Sequence, residues 1–344
     1  MLVTIYRVSP KTILPYQKLV TLSLVILLLI TALAGIGCAA SPRAEVRIGY
    51  LLGDLHHLPF FVALEKGFFT DEGINVKAVG PFDAGTSEMN ALAAGQIDMG
   101  YVGTAPAVIA AVRGIGLSIV AGVNAEGSAL ITDDTIDDVS GLRGKKIATP
   151  LPGSIQYVML AMLLAKNNMS FEELEVLPGT IKPPDMPAAL ETRSINGYIV
   201  WEPYAAKSVV AGVGKVLVES ADIWPGHPCC VVVTGTDFAE QSPKAVEGVI
   251  RAHKRAITFI KENPEEAKLI AAEYTKLDVK TIEEALRRVK FDYNVNVVAT
   301  KRFVEEIISL GEAGIIKPII RSGEVPNIDA FISKTINLSF LKEK

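Results

Sequence analysis

Small polar side chains stand where predicted strands give way to predicted helices. Asp54, His56 and His57 follow the first strand, Thr104 follows a later strand, and Ser154 opens a long helix. Unpaired N–H groups and partial positive charge at a helix start suit an anion or a polar head group. Each side chain is also an ordinary helix cap, so the prediction depends on several of them converging. The chemistry that they indicate is non-covalent capture of a small ligand.

Trp201 and Glu202 stand together at the end of another predicted strand. A tryptophan in a cleft offers a flat apolar wall, and core packing is the alternative for Trp201. The carboxylates of Asp54 and Glu202 would repel a bare anion. If both line the cleft, a zwitterion, an amine or a hydrogen-bonding heterocycle is favoured. If they face away from the cleft, as helix caps or in salt bridges at the hinge, an anion remains a candidate ligand.

Signatures of catalysis are missing from the sequence. There is no G-x-S-x-G, H-E-x-x-H, Walker A or G-x-G-x-x-G pattern, so no enzyme activity and no cofactor are expected. Adjacent histidines such as His56 and His57 rarely point together, so no metal site is expected. His253 lies on a charged helix face and is predicted to be solvated. Cys229 and Cys230, in the apolar run CCVVV, are predicted to be small core residues.

One pattern is written twice, 98 residues apart, as EMNALAAGQIDMGYVGTAP at 88–106 and MPAALETRSINGYIVWEPY at 186–204. Each copy predicts a helix, a tight turn, a short buried strand and the start of a new element. Chance similarity between two amphipathic segments is the alternative. Two related copies predict two lobes built alike. Ligands of open α/β sheets bind beyond the carboxyl ends of strands, so the repeat indicates a cleft between the lobes.

Strands and helices alternate from about residue 46, which predicts an α/β fold with largely parallel sheets. We predict a first lobe from residues 46–132 and 226–344, and a second lobe from residues 133–225 inserted into it. The chain would then cross between the lobes twice. Two crossing segments form a hinge that can close around a ligand.

The length of 344 residues fits two lobes and a targeting segment, and the net charge of −4 argues against a nucleic-acid partner. Residues 1–37 have a basic start and an apolar core, which is typical of a secretory signal. Cys38 then resembles the lipidated residue of a lipoprotein, with residues 38–45 as a tether. An uncleaved membrane anchor and plain cleavage remain open. All three place the remainder outside the cytoplasmic membrane.

Five segments, in this order along the chain, carry a resemblance to a known family: FVALEKGFFTDEGINV, GQIDMGYVGTAP, DDVSGLRGKKIATPLPGS, INGYIVWEPY and FIKENPEEA. Over about residues 46–270 the chain resembles the solute-binding proteins of ABC importers for nitrate, sulfonate and taurine. That superfamily also includes binders of thiamine-pyrimidine precursors. The resemblance implies a two-lobe Venus-flytrap fold of the type II periplasmic-binding-protein kind. It also implies no catalysis, and delivery of the ligand to a membrane permease with a cytoplasmic ATPase.

The resemblance further implies which residues contact the ligand, in the loops and helix starts that face the other lobe. They are Asp54, His56, His57, Thr104, Ala105, Ser154, Gln156, Trp201 and Glu202, with Ser128 and His227 as additions.

The sequence therefore predicts an extracytoplasmic binding protein for a small polar organic solute or an oxyanion. We expect it to be tethered to the outer face of the cell membrane by a lipid on Cys38, or to be periplasmic. One alternative is a ligand-sensing ectodomain, although the C-terminal SFLKEK offers no further span or kinase segment. Another is an enzyme on the same fold related to pyrimidine-precursor synthesis. The missing Cys-rich segment and the export signal argue against it.

Overall fold

The computed structural model describes residues 44–342. The predicted signal segment and the lipidation of Cys38 therefore lie outside the described residues. The described residues form one compact unit, built from two mixed β-sheets with helices packed around them. Within residues 44–342, no helix is both long enough and apolar enough to cross a bilayer.

Six strands of the described chain form the first sheet. Their order is β2 (Ile74–Phe82), β1 (Ala44–Leu51), β3 (Met99–Gly103), β10 (Pro228–Gly235), β4 (Leu117–Glu126) and β11 (Val289–Phe291). Strand β1 pairs in parallel with both β2 and β3, whereas β10 runs antiparallel to its neighbours β3 and β4. The sheet is therefore parallel on one side of β3 and antiparallel on the other, so the prediction of largely parallel sheets is wrong.

The second sheet, with five strands in the described residues, repeats this plan. Its order is β7 (Glu175–Pro178), β6 (Lys146–Thr149), β8 (Gly197–Trp201), β5 (Ser128–Thr132) and β9 (Lys215–Glu219). Strand β6 is parallel to β7 and β8, and β5 is antiparallel to β8 and β9. Strands β6 to β9 thus correspond to β1 to β4, and β5 corresponds to β10. The prediction of two like-built halves is confirmed.

The two copies of the sequence repeat perform the same structural task. Asp98 accepts a hydrogen bond from Arg47 N at 2.8 Å, and its own N–H donates to Arg47 O at 2.8 Å. Asn196 does the same with Lys146, accepting at 3.1 Å and donating at 2.9 Å. These bonds tie the start of β3 to β1 and the start of β8 to β6. The repeat therefore encodes the entry into the two central strands.

The first passage between the sheets is shorter than the sequence indicates. Ser128–Thr132, predicted to belong to the first lobe, pairs with β8 in the second sheet from Ser128↔Trp201 to Thr132↔Gly197. Only Gly127 separates the end of β4 from the start of β5. Glu126 and Gly127 have φ values of 62° and 86°, a left-handed pair that turns the chain sharply from one sheet into the other.

The helices cover the faces of both sheets. They are α1 (Leu58–Glu65), α2 (Phe68–Asp71), α3 (Gly85–Ala93), α4 (Thr104–Val112), α5 (Ile155–Lys166), α6 (Met186–Glu191), α7 (Tyr204–Ala211), α8 (Ser220–Ile223), α9 (Thr236–Gln241), α10 (Pro243–Glu262), α11 (Pro264–Thr275), α12 (Val279–Leu286), α13 (Val297–Glu312) and α14 (Ile328–Thr335). The long helix α10 buries an apolar face at helical spacing that includes Val246, Val249 and Ile257. The central strands β3 and β8 are buried almost throughout, because helices cover both of their faces.

The C-terminal helices brace the second sheet as well as the first. Helix α12 packs against α11 on one side and against α7, which follows β8, on the other. The segment after residue 226 is therefore not confined to the first half of the molecule. It forms a third connection between the halves, in addition to the two crossings of the chain.

Candidate functional site

A cavity of about 60 Å³ lies where the strand ends of the two sheets face each other. Its wall combines residues from both halves of the chain. The lining residues are Leu51, Asp54, His56, Ala84, Gly85, Thr86, Gly103, Pro106, Pro150, Leu151, Pro152, Gly153, Ser154, Ile155, Gln156, Trp201, Cys229 and Cys230. The space is large enough for several water molecules or one small solute.

The predicted site residues fall into two groups. Asp54, His56, Ser154, Gln156 and Trp201 all line the cavity. Asp54 and His56 follow β1, Ser154 and Gln156 follow β6, and Trp201 ends β8. They therefore come from the carboxyl ends of parallel strands, where ligands of open sheets bind. The other predicted residues lie behind this wall.

Ser128 supports the wall from behind. Gln156 Nε2 donates to Ser128 Oγ at 3.0 Å, and Ser128 N donates to Ser220 Oγ at 3.1 Å. Both Ser128 and Gln156 are buried. Ser128 therefore orients the Gln156 amide rather than lining the cavity itself.

Thr104 and Ala105 begin helix α4, but they do not line the cavity, whereas Gly103 before them and Pro106 after them do. The Thr104 hydroxyl is buried and has no hydrogen-bond partner among the described residues. The contribution of this segment to the cavity is thus its backbone and the ring of Pro106.

Glu202 points away from the cavity. Its Oε1 lies 3.0 Å from Arg288 Nη1, and its Oε2 accepts from Ala206 N at 2.9 Å. Burial raises the pKa of Glu202 to about 7, against the opposing effects of Ala206 N–H and Arg288. Of the two carboxylates considered from the sequence, only Asp54 therefore lines the cavity.

The remaining predicted histidines are buried beside the cavity. His57 Nδ1 accepts from Leu51 N at 3.1 Å, which holds the end of β1. His227 Nδ1 lies 2.9 Å from Trp224 O, and its Nε2 has no partner among the described residues. His253 was predicted to be solvated, and this is wrong. It is buried, and its ring forms hydrogen bonds with Tyr101 Oη at 3.0 Å and Gly122 O at 2.7 Å.

Among the described residues, three helices begin at the cavity wall. Ala84–Thr86 belong to the start of α3, Gly103 precedes α4, and Ser154 precedes α5. The first N–H groups of a helix have no partner within the helix, and they carry partial positive charge. The Ser154 hydroxyl accepts one of these N–H groups, from Tyr157 at 3.2 Å. The wall therefore favours an anionic group, although no Lys or Arg occurs among the described lining residues.

Trp201 supplies both an apolar surface and a hydrogen-bond donor. The residue ends β8 and is 9% exposed, and its ring meets Tyr204 edge-on with 6.3 Å between centroids. Its Nε1 is buried and has no partner among the described residues. A buried indole N–H normally finds an acceptor, so a ligand oxygen in the cavity would satisfy it.

Asp54 and His56 form the charged part of the floor. Asp54 Oδ1 accepts from His56 N at 2.9 Å, and its distance from His56 Nδ1 is 3.5 Å. Burial raises the pKa of Asp54 to about 6, with the positive charge of His56 opposing the shift. Burial would lower the pKa of His56, but the charges of Cys229 and Asp54 raise it to about 9.

Cys229 and Cys230 are two lining residues with reactive side chains that sequence reasoning missed. Their sulfur atoms lie 3.4 Å and 3.7 Å from His56 Nδ1. Hydrogen bonding with Cys230 holds the pKa of the Cys229 thiol well below its usual range, against the effect of burial. The apolar run around both residues indicates a core strand, and nothing in that pattern predicts that both thiols reach a cavity.

Residues 39–274, well over half of the chain, match the sequence pattern of the NMT1-like family. A putative aliphatic sulfonates-binding protein of Bacillus subtilis is 29% identical over 269 residues, which cover 73% of this chain and 78% of the relative. The taurine-binding periplasmic protein of Escherichia coli is 30% identical over 175 residues, covering 50% of this chain and 53% of that protein.

The fold is also found in solved structures. The periplasmic nitrate-binding protein NrtA of Synechocystis PCC 6803 superposes with a TM-score of 0.72 at 18% identity. The match covers 88% of each chain. The predicted two-lobe periplasmic-binding-protein fold is therefore confirmed.

Proposed function

The chain belongs to the NMT1-like family, and from this premise we propose that it is the solute-binding component of an ABC importer. It captures a small solute between its two sheets and delivers it to a membrane permease driven by a cytoplasmic ATPase. It performs no chemistry on the solute. The relatives named for aliphatic sulfonates, taurine and nitrate support this class of function.

The observation that carries the proposal is the convergence of three helix starts and the unpaired Trp201 Nε1 on one cavity. All four features supply hydrogen-bond donors, and none of them is a full positive charge. Neutral donors at helix N-termini bind an oxyanion by hydrogen bonds and partial charges. The ligand is therefore a small solute that carries a sulfonate-type or similar oxyanion.

The Asp54 carboxylate further restricts the class of solute. It is the carboxylate of the described lining, and it lies at the floor of the cavity beside His56. The negative groups at this floor, Asp54 and the low-pKa Cys229 thiol, outnumber the cationic His56. A bare anion would therefore approach the floor at a cost, whereas a solute with an ammonium group at its other end would be attracted by it. We therefore favour a short zwitterion such as an aminosulfonate over a simple oxyanion such as nitrate.

Solute capture would also close the two halves. Asp54 and Gly103 come from the first sheet, while Ser154 and Trp201 come from the second. A ligand that contacts both halves at once binds the closed state better than the open state, so it shifts the population toward closure. The sharp turn at Gly127 is one of the hinge segments that would absorb this motion.

The test is isothermal titration of the purified protein with two solutes that differ at one end. Taurine and ethanesulfonate share the sulfonate, and only taurine carries the ammonium group. We expect one-to-one binding of taurine, and binding of ethanesulfonate that is at least about tenfold weaker. In Asp54→Asn this preference should disappear, because the carboxylate that attracts the ammonium is gone.

Two results would contradict the proposal. Folded protein that binds no member of a panel of sulfonates, taurine, nitrate and bicarbonate would remove the solute-binding role. A preference for ethanesulfonate over taurine in the unmodified protein would reject the zwitterion. Gln241→Ala, remote from the cavity on helix α9, serves as the matched surface control and should leave both affinities unchanged.

We also propose that the chain is exported and held at the membrane by a lipid on Cys38. The basic start, the apolar core and the small residues before Cys38 support this proposal. Mass spectrometry of the protein from its native membrane should find residue 38 as the N-terminus and carrying acyl chains. Cys38→Ser should release the protein from the membrane fraction. An intact N-terminus would instead support the uncleaved anchor.

A further inference from the structure

The two neighbouring cysteines point to the same side of their strand. Successive side chains of a regular strand point to opposite faces. Here the pairing of β10 with β4 advances from Pro228↔Ala125 to Cys230↔Asn124, two residues on β10 against one on β4. This β-bulge places an extra residue in the strand and re-aims its side chain, as bulges beside binding sites do. Both thiols therefore face the cavity floor.

His56 directs its Nδ1 toward these thiols. Its Nε2 lies 2.9 Å from Gly127 O. A carbonyl oxygen can only accept, so Nε2 keeps its hydrogen in either protonation state of the ring. The cationic ring carries a second proton on Nδ1, and a metal ion that binds Nδ1 displaces this proton. A metal-binding histidine characteristically donates its second nitrogen to a carbonyl or carboxylate, which fixes the ring and its tautomer. Gly127 also has to be glycine, because an added Cβ would lie 2.4 Å from His56 Nε2.

The distances between the three donor atoms fit one tetrahedral ion. His56 Nδ1 is 3.4 Å from Cys229 Sγ and 3.7 Å from Cys230 Sγ, and the three atoms all lie within 4.8 Å of one another. With Zn–S of about 2.3 Å and Zn–N of about 2.05 Å, a tetrahedral site has an N···S separation of roughly 3.5 Å. The observed distances bracket this value, so the side chains need little movement to share a metal.

A second group of nearby donors is less suitable. Asp54, His57 and Cys230 also have ligand atoms within 4.8 Å of one another. However, His57 Nδ1 accepts a hydrogen bond from Leu51 N, so the hydrogen of the neutral ring is on Nε2. His57 therefore has no free lone pair to offer. The chemistry selects His56 with the two cysteines.

We propose that His56 Nδ1 and the thiolates of Cys229 and Cys230 bind a thiophilic metal cation such as Zn²⁺, with a fourth coordination position open to the cavity. One imidazole and two thiolates suit a soft or borderline cation, and they are poor ligands for Mg²⁺ or Ca²⁺. Two thiolates neutralise the charge of a divalent ion, so the buried site carries no net charge of its own. The site requires no particular solute, so it can be tested without one.

The experiment is titration of the reduced full-length protein with Co²⁺ and Zn²⁺ in a Cys38→Ser background. Only Cys229 and Cys230 then remain as thiols. We expect one equivalent of Co²⁺ to produce the intense near-ultraviolet charge-transfer absorption of cobalt–thiolate bonds, and Zn²⁺ to displace it. Zn²⁺, but not Mg²⁺, should also slow alkylation of both thiols. This second measurement needs no further variant, so it remains decisive if a substituted protein fails to fold.

Substitutions of single residues test which side chains bind the metal. Cys229→Ser, Cys230→Ser and His56→Gln should each weaken Co²⁺ binding by about a hundredfold or more, because each removes one of three protein ligands. His253→Gln is the matched control. It is a buried histidine that also bonds a backbone carbonyl, but its partners are Tyr101 and Gly122 rather than a cysteine. Its affinity for Co²⁺ should equal that of the parent protein.

Three outcomes would overturn the metal site. They are a folded, reduced protein with no higher affinity for Co²⁺ or Zn²⁺ than for Mg²⁺, bound Co²⁺ without thiolate charge transfer, and binding that survives in Cys229→Ser/Cys230→Ser. None of them involves a solute. Failure of the metal site is therefore distinguishable from failure of the proposed transport function.

Discussion

Arg288 Nη1 lies 3.0 Å from Glu202 Oε1 and joins the C-terminal segment to the end of the second sheet's central strand. The same guanidinium also contacts Glu219 at 2.9 Å and Glu284 at 2.7 Å. Glu202 is fully buried. Its carboxylate depends on Arg288 and Ala206 N–H for compensation, since it is cut off from water. The pair is therefore a junction between the halves.

Arg288→Met should destabilise the fold by about 3 kcal/mol at pH 8, because it leaves a buried carboxylate without its cation. Glu202 has a folded pKa of about 7, above its ordinary value of 4.5. Between these pH values the folded protein binds a proton that the unfolded chain has released, so the contribution of Glu202 to stability falls as pH rises from 4.5 to 7. The stability lost in Arg288→Met should therefore be smaller at pH 5 than at pH 8. Denaturant unfolding at the two pH values measures it.

The neighbouring arginine supplies the control for this experiment. Arg287 is mostly exposed and pairs with Glu284, so Arg287→Met should change stability by less than about 0.5 kcal/mol. Adding Glu202→Gln to Arg288→Met should restore much of the loss. A double variant as unstable as Arg288→Met alone would show that the loss does not come from the stranded carboxylate.

Gly100→Ala should cost about 1–3 kcal/mol of stability by overpacking. A Cβ added at Gly100 would lie 2.4 Å from Glu88 Oε1. Glu88 is fully buried, and burial raises its pKa well above the usual range. In a Glu88→Ala background the same substitution should be better tolerated, which a double-mutant cycle would detect. Gly323→Ala, where an added Cβ meets nothing within 4 Å, should be neutral.

Solute binding should change the fluorescence of Trp201 and not that of Trp224. Trp201 lines the cavity, whereas Trp224 stacks on Phe303, with centroids 6.2 Å apart. The signal on addition of taurine should therefore survive in Trp224→Phe and vanish in Trp201→Phe. Both residues are buried, so burial alone does not separate the two variants. A signal that is lost only in Trp224→Phe would place the solute elsewhere.

His253 should make the fold sensitive to mild acid. Burial lowers its pKa from 6.5 to about 4, with the bond to Gly122 O opposing the shift. Between these values the unfolded chain binds a proton that the folded chain excludes, so stability falls as pH is lowered from 6.5 to 4. His253→Gln should make the free energy of unfolding less dependent on pH in this range, by up to about 1.4 kcal/mol per pH unit. Tyr101→Phe, which removes the other partner and keeps the histidine, should retain the slope.

Much of the architecture could be predicted because it is written in local patterns. The alternation of strands and helices, and the two related segments around Asp98 and Asn196, predict two similar halves. These two residues make the same pair of bonds in each sheet. The boundary between the two halves at Gly127 was not predicted, because the sequence of a buried strand such as β5 does not indicate which sheet the strand joins.

The candidate site divides in the same way. Asp54, Ser154 and Trp201 stand at strand ends and helix starts, positions that sequence patterns indicate, and all three line the cavity. Glu202 occupies an equivalent position, yet it turns to Arg288, which lies 86 residues away in the chain. No local pattern predicts such a partner, because the choice between cavity and ion pair depends on how α12 packs.

The sequence by itself determined the class of the fold, the doubled plan and the edge of the sheets at which a ligand is expected. Those features follow from periodicity and from the chemistry of strand ends, which act over a few neighbouring residues. Only the tertiary structure decided that Cys229 and Cys230 share one face and meet His56. That outcome depends on a bulge between β10 and β4 and on a passage through Gly127, and both arise from pairing between distant segments.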